Sequence, residues 1–427
     1  MLINTAVLLV VLLALAVPVA ASMGVLGLVL DQFYSFFPLH RAIGEVFWST
    51  STDFLLVSIP MFILLGELML RAGMAERLYD AMEKWLGWLP GGLMHANIGA
   101  CAAFAATSGS SVATAATIGT VAIPQGERHS YSQPLFLGTL AAGGTLGILI
   151  PPSINMIIYG TLTDTSVPQL YLAGFIPGLA LAVIFSLTVV IACMFKPQWG
   201  GTRQKASWSA RLSSLVNLIP PLLIFLIVVG SIYAGIATPT EAAAVGVMSA
   251  LALAAFYKRL SWTMLRDTAE GTMRTASMVI IIVLAAYFLN FVLVSIGLTD
   301  LLTSTILDLG WTPMQTFAAV VVFYLILGCF LETLSMMVTT IPITTPLMMS
   351  MGFDPVWYGI VVMLLLEMAL ITPPVGLNLY VVQGVRRGGS LSDVIIGAIP
   401  FVIALMAMVI LLAFEPGIAT WLPKKFY

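Results

Sequence analysis

Apolar positions run along this chain in blocks long enough to cross a bilayer core, which takes about 20 apolar residues in a helix. Uninterrupted blocks occupy residues 2–17, 18–34, 54–72, 168–195, 213–237, 240–257, 277–297 and 391–414. Four longer regions are broken near their middles by Gly, Ser, Thr or Pro clusters. The pattern predicts 88–126 and 312–350 as re-entrant hairpins, and 131–163 and 355–385 as broken helices. Segments 36–50 and 260–276 are amphipathic and short in apolar length, as in helices lying in the membrane interface. Only 196–211 is long, polar and flexible, and it divides the chain near its midpoint. The N-terminal block lacks the basic region of a signal peptide and reads as a membrane segment broken near Pro18.

The broken regions recur. Pro151-Pro152 returns as Pro373-Pro374 and Pro124 as Pro346, each 222 positions later. Asn155 returns as Asn378, and Gly174-Phe-Ile-Pro177 as Gly397-Ala-Ile-Pro400, each 223 positions later. The chain therefore reads as a tandem duplication, 1–195 and 212–427, joined by the 196–211 linker.

Composition fixes the solvent. Of 427 residues, 60% are hydrophobic and 8% charged, whereas a soluble domain is about half apolar and a quarter charged. A soluble enzyme, a nucleic-acid binder and a disordered chain are excluded, and a formal net charge of −2 offers polyanions no basic field. Cys101, Cys193 and Cys329 lie apart inside apolar runs, which excludes a Cys-ligated metal site and suits small buried hydrophobes.

Basic residues orient membrane proteins, because Lys and Arg collect on the cytoplasmic side. With both hairpins re-entrant and the linker cytoplasmic, all 17 Lys and Arg except Arg41, Lys424 and Lys425 fall inside. The inside set includes Arg71, Arg77, Lys84, Arg128, Lys196, Arg203, Lys205, Arg211, the 258–274 cluster and Arg386-Arg387. The same topology gives the two repeats opposite orientations. Inverted repeats with broken apolar segments point to secondary transporters, with the site at the midplane between the breaks.

The first repeat carries a hairpin tip at Ala106-Thr107-Ser108-Gly109-Ser110-Ser111 and a break at Gly147-Ile-Leu-Ile-Pro151-Pro152-Ser153. The second carries a tip around Phe330-Leu331-Glu332-Thr333 and a break at Ile371-Thr372-Pro373-Pro374-Val375-Gly376. Two consecutive prolines remove two amide donors and stop the helix. Carbonyls stranded at bilayer depth persist only where protein, water or an ion satisfies them. Carbonyls near Ser110, Ser153, Thr372 and Gly376, completed by hydroxyls and the Asn155 and Asn378 amides, would suit Na⁺, one site per repeat. Half-helix N-termini suit a carboxylate.

Glu67 is placed to pair with Arg71, and Glu241 reads as the first turn of a helix after Thr238-Pro239. Glu332 and Glu367 remain at membrane depth, where acids are functional candidates by default, with Glu332 the stronger. No catalytic set emerges: His40, His95 and His129 lack HExxH spacing, Ser110 has no GxSxG setting, and no Walker A sequence is present.

Several motifs together resemble the large membrane subunit (DctM-like M subunit) of tripartite ATP-independent periplasmic (TRAP) transporters, nearly end to end. They are Ser58-Ile-Pro-Met-Phe-Ile-Leu-Leu-Gly-Glu67, Ser108-Gly-Ser-Ser111, Gly147-Ile-Leu-Ile-Pro-Pro-Ser153, Thr238-Pro-Thr-Glu-Ala-Ala243, Gly328-Cys-Phe-Leu-Glu332 and Thr372-Pro-Pro374. The resemblance implies an elevator-type, Na⁺-coupled importer of organic acids, without other cofactors. It also implies a periplasmic substrate-binding protein (P subunit), a small four-helix membrane subunit (Q subunit) and a bacterial inner membrane. It carries the Na⁺ ligands to Ser108–Ser111 with Pro151–Asn155, and to the Glu332–Thr340 hairpin, including Thr339 and Thr340, with Thr372–Asn378. Glu332 departs from the Asp that many relatives carry.

The expected fold is an all-α polytopic membrane protein of two inverted-topology repeats. Hairpins and broken helices form a mobile transport domain, the remaining helices a scaffold, as in the ion-transporter superfamily. The alternative is a stand-alone Na⁺- or H⁺-coupled anion transporter of related architecture.

Overall fold

The computed structural model describes residues 1–202, 206–386 and 388–427. Arg203, Lys205 and Arg387, counted above with the cytoplasmic charges, lie outside the described residues. Among the described residues the chain is helical and contains no strand.

The first repeat runs α1 (Leu2–Ala14), α2 (Val19–Tyr34), α3 (Ile43–Ser51), α4 (Ser58–Arg71), α5 (Met74–Leu86), α6 (Leu93–Ser108), α7 (Ser111–Arg128), α8 (Gln133–Thr145), α9 (Ile154–Thr163) and α10 (Val167–Phe195). A short α11 (Trp208–Ser214) follows the linker. The second repeat runs α12 (Ile219–Tyr233), α13 (Pro239–Phe256), α14 (Trp262–Ser295), α15 (Leu298–Asp308), α16 (Pro313–Gly328), α17 (Thr333–Ser350), α18 (Pro355–Ile371), α19 (Leu377–Val385), α20 (Leu391–Phe414) and α21 (Gly417–Phe426). Helix starts follow local chemistry. Thr238 and Thr312 close capping boxes with Glu241 and Gln315, and each is followed by a proline at the first helical position.

Five helices are long and apolar enough to cross a membrane among the described residues: Phe54–Arg71, α10, α13, α14 and α20. The interrupted regions appear as helix pairs, α6–α7 and α16–α17 as hairpins, α8–α9 and α18–α19 as broken helices. Two expectations change and one element is added. The 260–276 segment is no separate interfacial helix but the start of the 34-residue α14, because no Pro or Gly-rich break separates it from the apolar half. The first block stops at Ala14, so α1 has only 13 residues. The tail after 414 forms α21, which packs on α10.

Packing separates two groups. α2, α4, α12, α13 and α14 pack on one another, with α4 against α13 and α2 against α14. The broken helices form the other centre. Every residue of α8 from Leu135 and every residue of α18 from Val356 is buried, as expected for helices apolar on all faces. α20 lies on α8 and α10 on α18. The α8–α20 crossing is backbone on backbone. A Cβ on Gly397 would run into the Pro134 carbonyl, and one on Gly138 into the Gly397 carbonyl.

Candidate functional site: a cavity between two hairpin tips and two helix breaks

The first tip is shaped by the turn from α6 into α7. Gly109 adopts a left-handed φ of 60°, and a Cβ there would lie 2.7 Å from the Pro152 carbonyl oxygen. Ser110 is extended and caps α7: its Oγ accepts from the Ala113 amide at 3.4 Å. Thr114 Oγ1 donates to the Ser110 carbonyl at 2.7 Å and lies 3.1 Å from Ser108 Oγ. Ser111 Oγ donates to the Thr145 carbonyl at 3.0 Å, where α8 ends. The tip is thus seated directly in the first break, and a Cβ on Gly147 would lie 2.8 Å from the Ser111 nitrogen. Pro151-Pro152 is a cis peptide, as is Pro373-Pro374. Ser153 precedes α9 without capping it, and its Oγ is buried with no hydrogen-bond partner.

The second tip meets its own break through the Val375 amide, which donates to the Cys329 carbonyl at 3.3 Å. Glu332, a candidate ligand by sequence, is the N-cap of α17. Its Oε1 accepts from the Ser335 amide and hydroxyl, each at 2.6 Å, and its Oε2 from the Leu334 amide at 3.1 Å. Thr372 Oγ1 donates back to the Met368 carbonyl at 2.7 Å, and Gly376 takes a φ of 34° before α19. Asn378 Nδ2 donates to the Ala141 carbonyl at 3.1 Å, while its Oδ1 is buried without a partner.

Both tips and the first break open onto one cavity of about 450 Å³, which the second break reaches only through the flanking Leu370 and Leu377, and α4 and α14 wall its far side. Ser108, Gly109, Ser110, Ser111, Asn155, Glu332 and Thr333 line it. Pro151, Pro152 and Ser153 sit buried beside it, whereas Thr372, Pro373, Pro374, Gly376 and Asn378 do not form its wall. Thr339 and Thr340 face elsewhere: they line a separate apolar cavity of about 410 Å³ between α1, α15, α16 and α17. Their hydroxyls turn back to the Ser335 and Met336 carbonyls, each at 2.7 Å. Several carbonyls proposed for a cation are already engaged. Those of Ser110, Ser153 and Gly376 accept from Thr114, Ile157 and Leu379 respectively.

Sequence reasoning named the Ser58–Glu67 motif and the Glu67–Arg71 pair but did not place them at the site. Gly66 on α4 lies against the first tip, where a Cβ would be 2.8 Å from the Ser108 carbonyl oxygen. Glu67 lines the cavity and lies 3.4 Å from Arg71 Nε. Arg71 reaches across to α14, 3.4 Å from Asp267 Oδ2 and 3.2 Å from its carbonyl. The available signal was the Gly66-Glu67 pair itself: an acid one turn before an arginine explains the ion pair, but not a glycine beside it.

An all-helical membrane protein whose hairpin tips and broken helices line a cavity has the build of a secondary transporter. Residues 6–418 match the family described as tripartite ATP-independent periplasmic transporter, DctM component, and the chain belongs to that family. It is 34% identical to the C4-dicarboxylate TRAP transporter large permease protein DctM of Pseudomonas aeruginosa, over 90% of each chain. It is 31% identical to the sialic acid TRAP transporter large permease protein SiaM of Vibrio cholerae, over 88% of this chain and 87% of that one. These relatives are transport permeases, not enzymes. The isethionate permease protein DctMQ of Oleidesulfovibrio alaskensis is 30% identical over 95% of this chain but 64% of its own length. In fold, the chain resembles the YdaH transporter of Alcanivorax borkumensis, with a TM-score of 0.58, 14% identity, and 98% and 99% of the two chains covered. The protein is a multi-pass TRAP large permease.

Proposed function

We propose that this permease imports an organic acid with Na⁺, by alternating access in which the hairpins and broken helices slide past the scaffold. The observation that carries the reading is the convergence of both tips, the first break and the helix ends flanking the second break on one cavity walled by α4 and α14. The wall offers hydroxyls, backbone and two acids, Glu67 and Glu332, with no lysine or arginine. A carboxylate substrate therefore needs a bound cation to enter, which is the physical basis of coupling. The two repeats are inverted with respect to one another. Their packing supports a twofold duplication, since α4 on α13 and α2 on α14 are equivalent contacts, as are α20 on α8 and α10 on α18, and the inversion rests on the distribution of Lys and Arg. The same contacts group α10 and α20, expected with the scaffold, with the moving part. The chain works in a bacterial inner membrane with a periplasmic binding protein and a separate small membrane subunit. The longer DctMQ relative, matched over only part of its length, is consistent with a small subunit fused there.

The test is uptake by the three proteins in proteoliposomes. Uptake follows an inward Na⁺ gradient; undiminished uptake in Na⁺-free vesicles with only a proton gradient overturns the reading. Ser110→Ala raises the Na⁺ concentration needed about tenfold, the scale of one lost bond to a charged group. Glu241→Gln, confined to a helix cap, leaves it unchanged.

A further inference from the structure

Glu367 is an acid for which Na⁺-coupled import has no use. It lies on α18 with no exposed surface. Its Oε2 is 3.4 Å from Thr145 Oγ1 on α8, the Leu149 amide faces the carboxyl, and Oε1 has no hydrogen-bond partner. Among the described residues it forms no ion pair with any Lys, Arg or His. The elements packed on α18 carry Tyr159, Tyr171, Cys193, Tyr324, Tyr380, Asp393, Lys424 and Lys425, and α18 itself carries Tyr358. Among the described residues none of these forms an ion pair with Glu367.

The hydrogen count decides the state of this group. A threonine hydroxyl has one proton and two lone pairs. Thr145 Oγ1 sits 2.8 Å from the Ala142 carbonyl, which can only accept, so the hydroxyl proton goes there. What faces Glu367 at 3.4 Å is then a lone pair, and the contact needs a proton supplied by the acid. An ionised carboxylate here would be buried without a counter-charge, against an acceptor, with the Leu149 amide, which already donates to the Leu146 carbonyl at 3.2 Å, as its one donor among the described residues. A hard metal cation is a poor substitute, since such ions gather six or more oxygens and Glu367 has one side-chain oxygen of another residue beside it.

Position gives the group its significance. Thr145 and Glu367 are 222 residues apart, the spacing of Pro151 and Pro373. They occupy equivalent turns of equivalent helices, so their contact lies where the two repeats meet. Thr145 also receives Ser111 Oγ on its carbonyl at 3.0 Å, which ties the same residue to the hairpin tip lining the cavity.

We propose that Glu367 is a proton-binding site: in this conformation it holds a proton, donates it to Thr145 Oγ1, and so pins the broken helix of one repeat to that of the other. The inference goes beyond Na⁺-coupled import and does not depend on it. Infrared spectroscopy of the purified full chain in nanodiscs, at neutral pH without Na⁺ or substrate, tests it. Wild-type protein shows the carbonyl stretch of a protonated carboxylic acid, and Glu367→Gln removes it. Thr145→Val, which keeps the acid and the shape but deletes the acceptor, moves that band to higher wavenumber. The shift distinguishes a donated proton from mere burial, and carries the test alone if Glu367→Gln fails to fold. Three results overturn the proposal: loss of only carboxylate absorption in Glu367→Gln, an unshifted band in Thr145→Val, or a carboxylate signal of Glu367 that appears when Na⁺ is added.

Discussion

Glu332 illustrates how one residue type can satisfy two readings until geometry separates them. Its carboxylate holds the first turn of α17 through two amides and a hydroxyl, a helix N-terminus stabilised by an acid. Glu332→Ala should therefore lower stability by about 1 kcal/mol and shift the thermal midpoint, while the Na⁺ dependence of uptake stays as in the wild type. A changed Na⁺ dependence at unchanged stability would make it a ligand instead. Glu83 on α5 offers a pH handle outside the membrane spans. Burial, and then the neighbouring Asp80, push its carboxyl above the ordinary glutamate range. The folded state thus holds this proton more tightly than the unfolded one, so stability declines as pH rises through that range. Glu83→Gln should leave the thermal midpoint unchanged in acid and raise it slightly at neutral pH, which melting curves across pH would read out.

Among elements, α14 makes the sharpest prediction. Its 34 residues span about 51 Å at 1.5 Å per residue, well beyond a hydrocarbon core of about 30 Å. The polar first half must then stand outside the core. Arg266 and Ile281 both have exposed side chains in the protein. In a background without native cysteines, a cysteine at 266 should react with a membrane-impermeant thiol reagent and one at 281 should not. Equal labelling would return 260–276 to the interface. The hairpins and breaks were legible in the sequence because prolines and glycines interrupt apolar runs wherever they fall. The 260–276 segment misled for the complementary reason: a helix that runs on from a polar into an apolar stretch carries no such mark. Within the site, Ser108–Ser111, Asn155, Glu332 and Thr333 could be read because tips are written in small polar residues. Gly66 could not, because its role is to let another segment's backbone approach, and Thr339 and Thr340 proved to face a different cavity because a helix turns neighbouring side chains through 100°.

At the scale of the whole molecule, each half buries its helices against the other. Gly138 meets Gly397, Arg71 meets Asp267, and α10 lies on α18. Fragments 1–202 and 206–427 should accordingly copurify when expressed together and fail to accumulate when expressed alone, which affinity capture through a tag on one fragment would show. Recovery of either fragment by itself as a folded monomer would contradict an interlocked pair. The Thr145–Glu367 contact adds a matter of symmetry. Two identical halves meeting here would set like residue against like: an acid would face its own copy and repel it, unless the two shared one proton. In a single polypeptide the two positions are independent, so one side can be a threonine and the other a glutamic acid.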